Sequence, residues 1–127
     1  MNSNVKKLWI EAALSDLYRG RQTTGRMRNP DDGKYCFLGV LQAIAIQCGV
    51  VTSYEVDWTN SSLHQKVIDW AELIDVEMIA LQLLNDGLSS YEAQQREMWR
   101  LYEKLVGGRD REGPLSFTDL ADVIRLM

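Results

Sequence analysis

Histidine and cysteine are scarce in this sequence, which has one histidine and two cysteines among 127 residues. Cys36 and Cys48 fall on one predicted helix, about 18 Å apart along its axis, which is too far for a disulfide bond between them. Together with His64 they do not make the ligand set of a zinc site. We therefore expect no metal or other cofactor, and reduced thiols in a cytoplasmic protein.

Long apolar runs are also absent. No stretch approaches the roughly 20 apolar residues of a transmembrane helix, and the opening Met1-Asn2-Ser3-Asn4 lacks the apolar region of a signal peptide. The net charge of −4 argues against a broad nucleic-acid-binding surface. We expect a soluble protein with neither a membrane nor a long nucleic acid as partner.

What the chain does contain is 46% hydrophobic residues, enough for one folded domain over residues 1–127. Apolar residues recur at helical spacing in several parts of it. The predicted elements are a first helix ending before Gly20, a central helix over 35–48, two helices within 62–84 that bend near Ile74-Asp75, a polar helix over 91–106 and a last helix after Ser116. The fold class is therefore mainly α, with five to six helices.

The central helix is predicted from its composition, because residues 35–48 are interrupted only by Gln42 and Gln47. Asn2 or Ser3 is expected to cap the first helix, and Ser116 the last. Weak alternation over 50–58 and the glycine-rich segment 20–33 are compatible with a small β hairpin. Residues 87–115, which hold the polar helix, are interpreted as an insertion.

A basic stretch over residues 19–28, called here the arginine loop, differs from the rest of the chain. It has four arginines and no acid, whereas residues 35–127 carry seven basic against fourteen acidic side chains. Guanidinium groups on such a loop suit bidentate capture of phosphate or carboxylate. They equally suit plain solvation, which is the commoner role of a charge run, or docking onto the protein's own acidic half.

Aromatic residues near this loop complete a candidate ligand site. Five aromatic side chains could line a pocket for a planar ring: Trp9, Tyr18, Tyr35, Trp58 and Trp70. Helical spacing places Trp9 and Trp70 more naturally in the core, whereas Tyr18 borders the loop and could stack on a ligand. The predicted ligand-binding residues are Tyr18, Arg19, Arg21, Arg26, Arg28, Tyr35 and Asp86.

Catalytic residues are not predicted. Cys36 begins a helix, whose dipole could lower the pKa of a thiol, but a free cysteine is more often a small core residue. His64 is interpreted as a surface or capping residue, and Asp86 also fits ordinary turn chemistry. No carboxylate pair has the spacing of an acid and a base.

Several fragments, taken in order, resemble a family of small uncharacterised phage and prophage proteins. The family pattern reads W-x-x-A-L-x-S-G-x-Y, C-C-L-G-V-L-C, L-P-x-x-V-x-x-W-A-x-L, L-N-D and S-F-x-x-I-A-D-x-I. The matching residues include Trp9, Ala12, Ser15 and Tyr18, then Cys36, Leu38-Gly39-Val40-Leu41, Leu63, Val67, Trp70-Ala71, Leu84-Asn85-Asp86, Ser116-Phe117, Ala121-Asp122 and Ile124. Phe37 and Gln42 replace two cysteines of the pattern. The resemblance implies a phage context and no established activity.

The resulting functional hypothesis is a phage-type, non-enzymatic protein that binds and inhibits a host component in the host cytoplasm. That component is either a host protein or a phosphate-bearing signalling nucleotide of host defence. One alternative is a small nucleotide-directed hydrolase or transferase that uses Cys36 or Asp86, and another is an acidic decoy of a host enzyme. The helix over 91–106 is a candidate homodimer contact.

Overall fold

A computed structural model describes residues 1–18, 20–59, 62–86 and 115–127. Over these residues the chain forms five helices, which confirms the mainly α-helical prediction. They are α1 (Ser3–Ala13), α2 (Phe37–Gln47), α3 (Gln65–Ala71), α4 (Asp75–Asp86) and α5 (Phe117–Arg125). The helix predicted over 91–106 lies outside the described residues.

Helix α2 is the central element, as its composition predicts. Every residue from Phe37 to Ala45 is buried, because α1, α3 and α4 all pack against this helix. It begins two residues later than predicted. The reason is local: Cys36 is the N-cap, with extended backbone and an Sγ that accepts the Gly39 N–H at 3.2 Å. Gly49, with φ of 74°, follows its end.

Polar caps fix the ends of the outer helices. Asn2 caps α1 by accepting the N–H groups of Asn4 and Val5, and Ser116 caps α5 by accepting the Asp119 N–H, as predicted. His64 Nδ1 accepts the Lys66 N–H at 3.1 Å and caps α3, which confirms its interpretation as a capping residue.

The bend predicted near residue 74 corresponds to the break between α3 and α4. Helix α3 ends at Ala71, and Glu72 follows with a left-handed backbone, φ 55°. Helix α4 begins at Asp75, where Ile74 donates its N–H to Glu77 Oε1 at 3.1 Å. The two helices are therefore separate elements joined by a short turn.

The suggested β hairpin is not formed in the described residues. Tyr35 instead makes two isolated bridges, one to Gln22 and one to Arg28, so it lies between two parts of the arginine loop with no strand on either side. Residues 50–58 are held by turn contacts, with Glu55 accepting from the Thr52 backbone and hydroxyl and pairing with Lys66 at 2.6 Å. Side-chain hydrogen bonds replace the strand pairing there.

Across the described residues, no helix is both long and apolar enough to cross a membrane.

Candidate functional site

Met27 anchors the arginine loop in the core. Its side chain is fully buried, and its carbonyl oxygen accepts the Cys36 N–H at 3.0 Å. A Cβ placed on Gly39 would lie 2.0 Å from that oxygen, so only glycine allows the loop to approach helix α2 so closely. The glycine of the Leu-Gly-Val fragment is thus a packing requirement of the loop.

Asn85, at the end of α4, fastens the loop a second time. It is almost completely buried, and its Oδ1 accepts the Phe37 N–H at 3.0 Å and Gln22 Nε2 at 2.9 Å. Its Nδ2 donates to the Thr23 carbonyl at 3.1 Å and to Asp86 Oδ1 at 3.0 Å. These contacts, called here the Asn85 clasp, use both ends of the amide.

Asp86 extends the clasp by accepting the Gly25 N–H at 3.0 Å. The carboxylate therefore holds the backbone of the arginine loop. Its predicted role in ligand binding stays a prediction. Leu115 closes the same junction: its carbonyl accepts Gln22 Nε2 at 2.6 Å and its N–H donates to the Leu84 carbonyl at 3.0 Å. The chain thus leaves and re-enters the described fold at one place, beside the loop.

The described arginines of the loop have different environments. Arg21 and Arg26 are exposed, whereas Arg28 is half-buried with its guanidinium carbon 5.6 Å from the centroid of the Tyr35 ring, a cation–π distance. Arg28 Nε is buried without a hydrogen-bond partner, and no carboxylate of a described residue pairs with this side chain. Arg19 lies outside the described residues.

Three aromatic rings follow one another beside Arg28. Tyr18 and Tyr35 meet edge to face at 5.1 Å and 87°, and Tyr35 meets Trp58 in the same way at 5.7 Å and 82°. Tyr18 is only 5% exposed, and burial raises the pKa of its hydroxyl. Its predicted stacking on a ligand stays untested, whereas the other two rings of this row, Tyr35 and Trp58, are partly exposed.

A cavity of about 360 Å³ opens between the end of the arginine loop and residues 56–59. The two segments are joined by a hydrogen bond from the Arg28 N–H to the Trp58 carbonyl at 3.2 Å. The lining residues are Arg28, Pro30, Val56, Asp57, Trp58 and Thr59. Arg28 and Trp58 were among the sequence candidates, whereas Arg21, Arg26 and Tyr35 are not part of this lining.

Asp57 is the charged residue of the described lining that the sequence did not indicate as a site residue. Its Oδ1 accepts the Thr59 hydroxyl at 2.6 Å and the Thr59 N–H at 2.9 Å, and these bonds lower the pKa of the carboxyl group. The Asp-x-Thr spacing is the sequence signal of such a turn. The part of the lining that the structure describes therefore presents one guanidinium, one carboxylate and one indole.

Cys36 lacks the properties of a nucleophile. It is buried, and burial raises the pKa of its thiol to about 11. The hydrogen bond from the Gly39 N–H to Sγ lowers this pKa, but desolvation raises it by more. The thiol therefore remains protonated at neutral pH. Among the described residues no group of three or more histidine, cysteine or acidic side chains is placed to hold a metal ion.

Comparison with known proteins gives one match. Neither the curated proteins nor the solved structures include one that matches the chain. A family model described as a domain of unknown function, DUF8296, matches residues 1–127. The arginine loop, the Asn85 clasp and the cavity all fall within that match, and the chain therefore belongs to the DUF8296 family.

Proposed function

We propose that this protein is a non-enzymatic binding protein that takes up a small phosphate-bearing or related anionic ligand in the cavity beside Arg28. The observation that carries the proposal is the state of the Arg28 guanidinium. It lines the cavity, it is half-buried, and its Nε has no hydrogen-bond partner. An anion bound in the cavity would pair with this guanidinium.

The cost of a buried donor without a partner supports this assignment. A buried donor without a partner costs about 1–3 kcal/mol, and arginine is suited to bidentate contacts with phosphate and carboxylate. Tyr35 holds the group in place through its ring face, so less side-chain entropy is lost when a ligand binds. Arg21 and Arg26, which are exposed, lack this preorganisation.

The construction of the cavity also suits a small molecule. Its volume of about 360 Å³ falls within the roughly 300–1,000 Å³ of small-molecule sites. Apolar walls from Pro30 and Val56 surround a few polar groups, which is the usual composition of such sites. The Asn85 clasp and Met27 hold the arginine loop at fixed points. The position of Arg28 in the cavity wall is therefore stabilised by contacts with the core.

A binding role is favoured over the hydrolase or transferase alternative. Cys36 is a buried thiol with a raised pKa, and Asp86 is engaged with the Gly25 and Asn85 groups. Neither side chain lines the cavity. A catalytic nucleophile or base must reach the reacting atoms of the substrate, and these two residues hold the loop instead.

The biological setting follows from the resemblance to phage proteins. In that setting the protein would act in the host cytoplasm, and its ligand would be a host molecule that it removes from solution. A phosphate-bearing signalling nucleotide of host defence fits both the setting and the guanidinium. Sequestration by a binding protein lowers the free ligand concentration without turnover, so no catalytic group is required.

Isothermal titration calorimetry against inorganic phosphate and a panel of nucleotides tests this proposal. We expect saturable binding of at least one panel member, and a loss of about tenfold to a hundredfold in affinity in Arg28→Ala, as for one charged hydrogen-bonding group. Arg26→Ala is the matched control, since it removes the same charge from an exposed position of the same loop. If no member binds, or if Arg26→Ala weakens binding as much as Arg28→Ala, the proposal is wrong.

A further inference from the structure

We infer that the ligand of this cavity is a planar ring that carries a single negative charge, with the ring against Trp58 and the anionic group on Arg28. The inference rests on the proposed function and specifies its ligand. It follows from three properties of the lining residues: their charge balance, the position of the indole, and the volume that they enclose.

The charge balance limits the ligand to about one negative charge. Among the described lining residues, Arg28 is the only one with a positive charge, and Asp57 carries a negative one, because hydrogen bonds from Thr59 lower the pKa of its carboxyl group. A second or third phosphate would gain no further cation from the lining. It would also be repelled by Asp57, because like charges at close range destabilise each other.

The indole of Trp58 provides the surface for a ring. Edge-to-face contact with Tyr35 orients the ring, and the Arg28 N–H bond to the Trp58 carbonyl holds the backbone of this residue. Stacking of a base on an aromatic side chain is worth about 1–3 kcal/mol. Pro30 and Val56 add apolar walls, which favour a ring over a free phosphate ion.

The volume suits a ligand with one ring system. About 360 Å³ lies at the lower end of the roughly 300–1,000 Å³ of small-molecule sites, which suits one base or aromatic ring with one compact anionic group. The phosphodiester of a cyclic mononucleotide and the carboxylate of an aromatic acid share this chemistry. A dinucleotide or a nucleoside triphosphate is larger and carries more charge than such a ligand.

Calorimetric titration with matched ligands tests the inference. The probes are 3′,5′-cyclic AMP and cyclic GMP, 5′-AMP, ATP, and indole-3-carboxylate. We expect a monoanionic ring to bind at least tenfold more tightly than 5′-AMP and ATP. The cyclic nucleotides and the aromatic carboxylate then show which anionic group is the better ligand.

Two variants test the roles of the lining residues. Asp57→Asn keeps an oxygen that accepts from Thr59 but removes the charge, and we expect it to narrow the preference for cyclic AMP over 5′-AMP to less than threefold. Trp58→Leu should weaken ring ligands about tenfold, with the circular dichroism spectrum unchanged.

The binding results distinguish failure of this inference from failure of the proposed function. Tighter binding of ATP or 5′-AMP than of any monoanionic ring would overturn the ligand class while leaving an anion-binding role intact. An unchanged preference in Asp57→Asn would likewise overturn the charge argument. Failure of every probe, inorganic phosphate included, would refute both.

Discussion

The amide oxygen of Asn85 accepts the backbone N–H of Phe37 at 3.0 Å, and so joins the end of α4 to the start of α2. The same oxygen accepts Gln22 Nε2, which draws the arginine loop into this junction. A buried polar side chain therefore connects three segments that are distant in sequence. The position of Arg28 depends on this junction, because the loop that carries it is fastened there.

Asn85→Ala should lower the free energy of unfolding by about 2–4 kcal/mol. The substitution leaves the buried Phe37 N–H and the groups of Gln22 and Thr23 without their partner, and each unsatisfied buried group costs about 1–3 kcal/mol. Urea denaturation measures the loss. Asn4→Ala, at an exposed position of α1, is the control and should change stability by no more than about 0.5 kcal/mol. Equal effects of the two substitutions would show that the clasp does not stabilise the fold.

Gly39→Ala should destabilise the fold more than Gly49→Ala. The added methyl would lie 2.0 Å from the Met27 carbonyl oxygen, so backbone would have to move, at a cost on the order of 3 kcal/mol or more. Gly49→Ala is the matched comparison. It meets no neighbouring atom but keeps a left-handed φ of 74°, which costs about 1–2 kcal/mol. Thermal unfolding should rank the two, and the reverse order would contradict the packing of the loop on α2.

The two cysteines should differ in reactivity. Cys48 is exposed and Cys36 is buried, with a thiol pKa raised to about 11. A thiol reagent at pH 8 should therefore modify one cysteine rapidly in the native protein and two in denaturant. Cys48→Ser should abolish the rapid reaction. Rapid modification of Cys36 in that variant would place it at an accessible surface, against the structure.

The raised thiol pKa also predicts the direction of a pH effect on stability. The unfolded chain loses this proton near the ordinary pKa of 9, and the folded chain near 11. The folded state therefore binds more protons between these values, and the free energy of unfolding should fall as the pH rises through that window. Cys36→Ala should reduce this slope, whereas Cys48→Ala should leave it unchanged.

Replacing residues 87–114 with a short glycine–serine linker should preserve the fold of α1 to α5. The hydrogen bond from the Leu115 N–H to the Leu84 carbonyl, at 3.0 Å, brings the two ends of this segment together. Retained far-ultraviolet circular dichroism and cooperative unfolding would support the prediction that 87–115 is an insertion. A linker variant that is unfolded under native conditions would refute it.

The helices could be predicted from sequence because their signals are local. The period of apolar residues located α1, α3, α4 and α5, and residues such as Ser116 and His64 capped the helices they were expected to cap. The start of α2 was misplaced by two residues. Tyr35 is apolar and continues the run, but its backbone pairs with the arginine loop, and that pairing is a tertiary contact.

The site could be predicted only in part, because its residues meet through contacts between distant segments. Arg28 stood out in sequence by charge, yet nothing local distinguishes it from Arg26. What separates them is the Tyr35 ring and the Trp58 carbonyl, which lie beside Arg28 in the fold. Nothing local distinguishes Asp57 from the other acidic residues either, because its place in the site depends on residues 56–59 lining the cavity. Asn85 is polar yet buried, and its partners come from segments distant in sequence.

The most direct test of the central claim is a ligand titration monitored by two-dimensional nitrogen–proton NMR of the arginine Nε–H and tryptophan indole signals. With 3′,5′-cyclic AMP as the first probe and inorganic phosphate as the second, we predict that the signals of Arg28 and Trp58 shift together and saturate with one dissociation constant, while that of Arg26 stays in place. Shifts confined to Arg21 and Arg26, with Arg28 and Trp58 unmoved, would contradict a ligand site in this cavity.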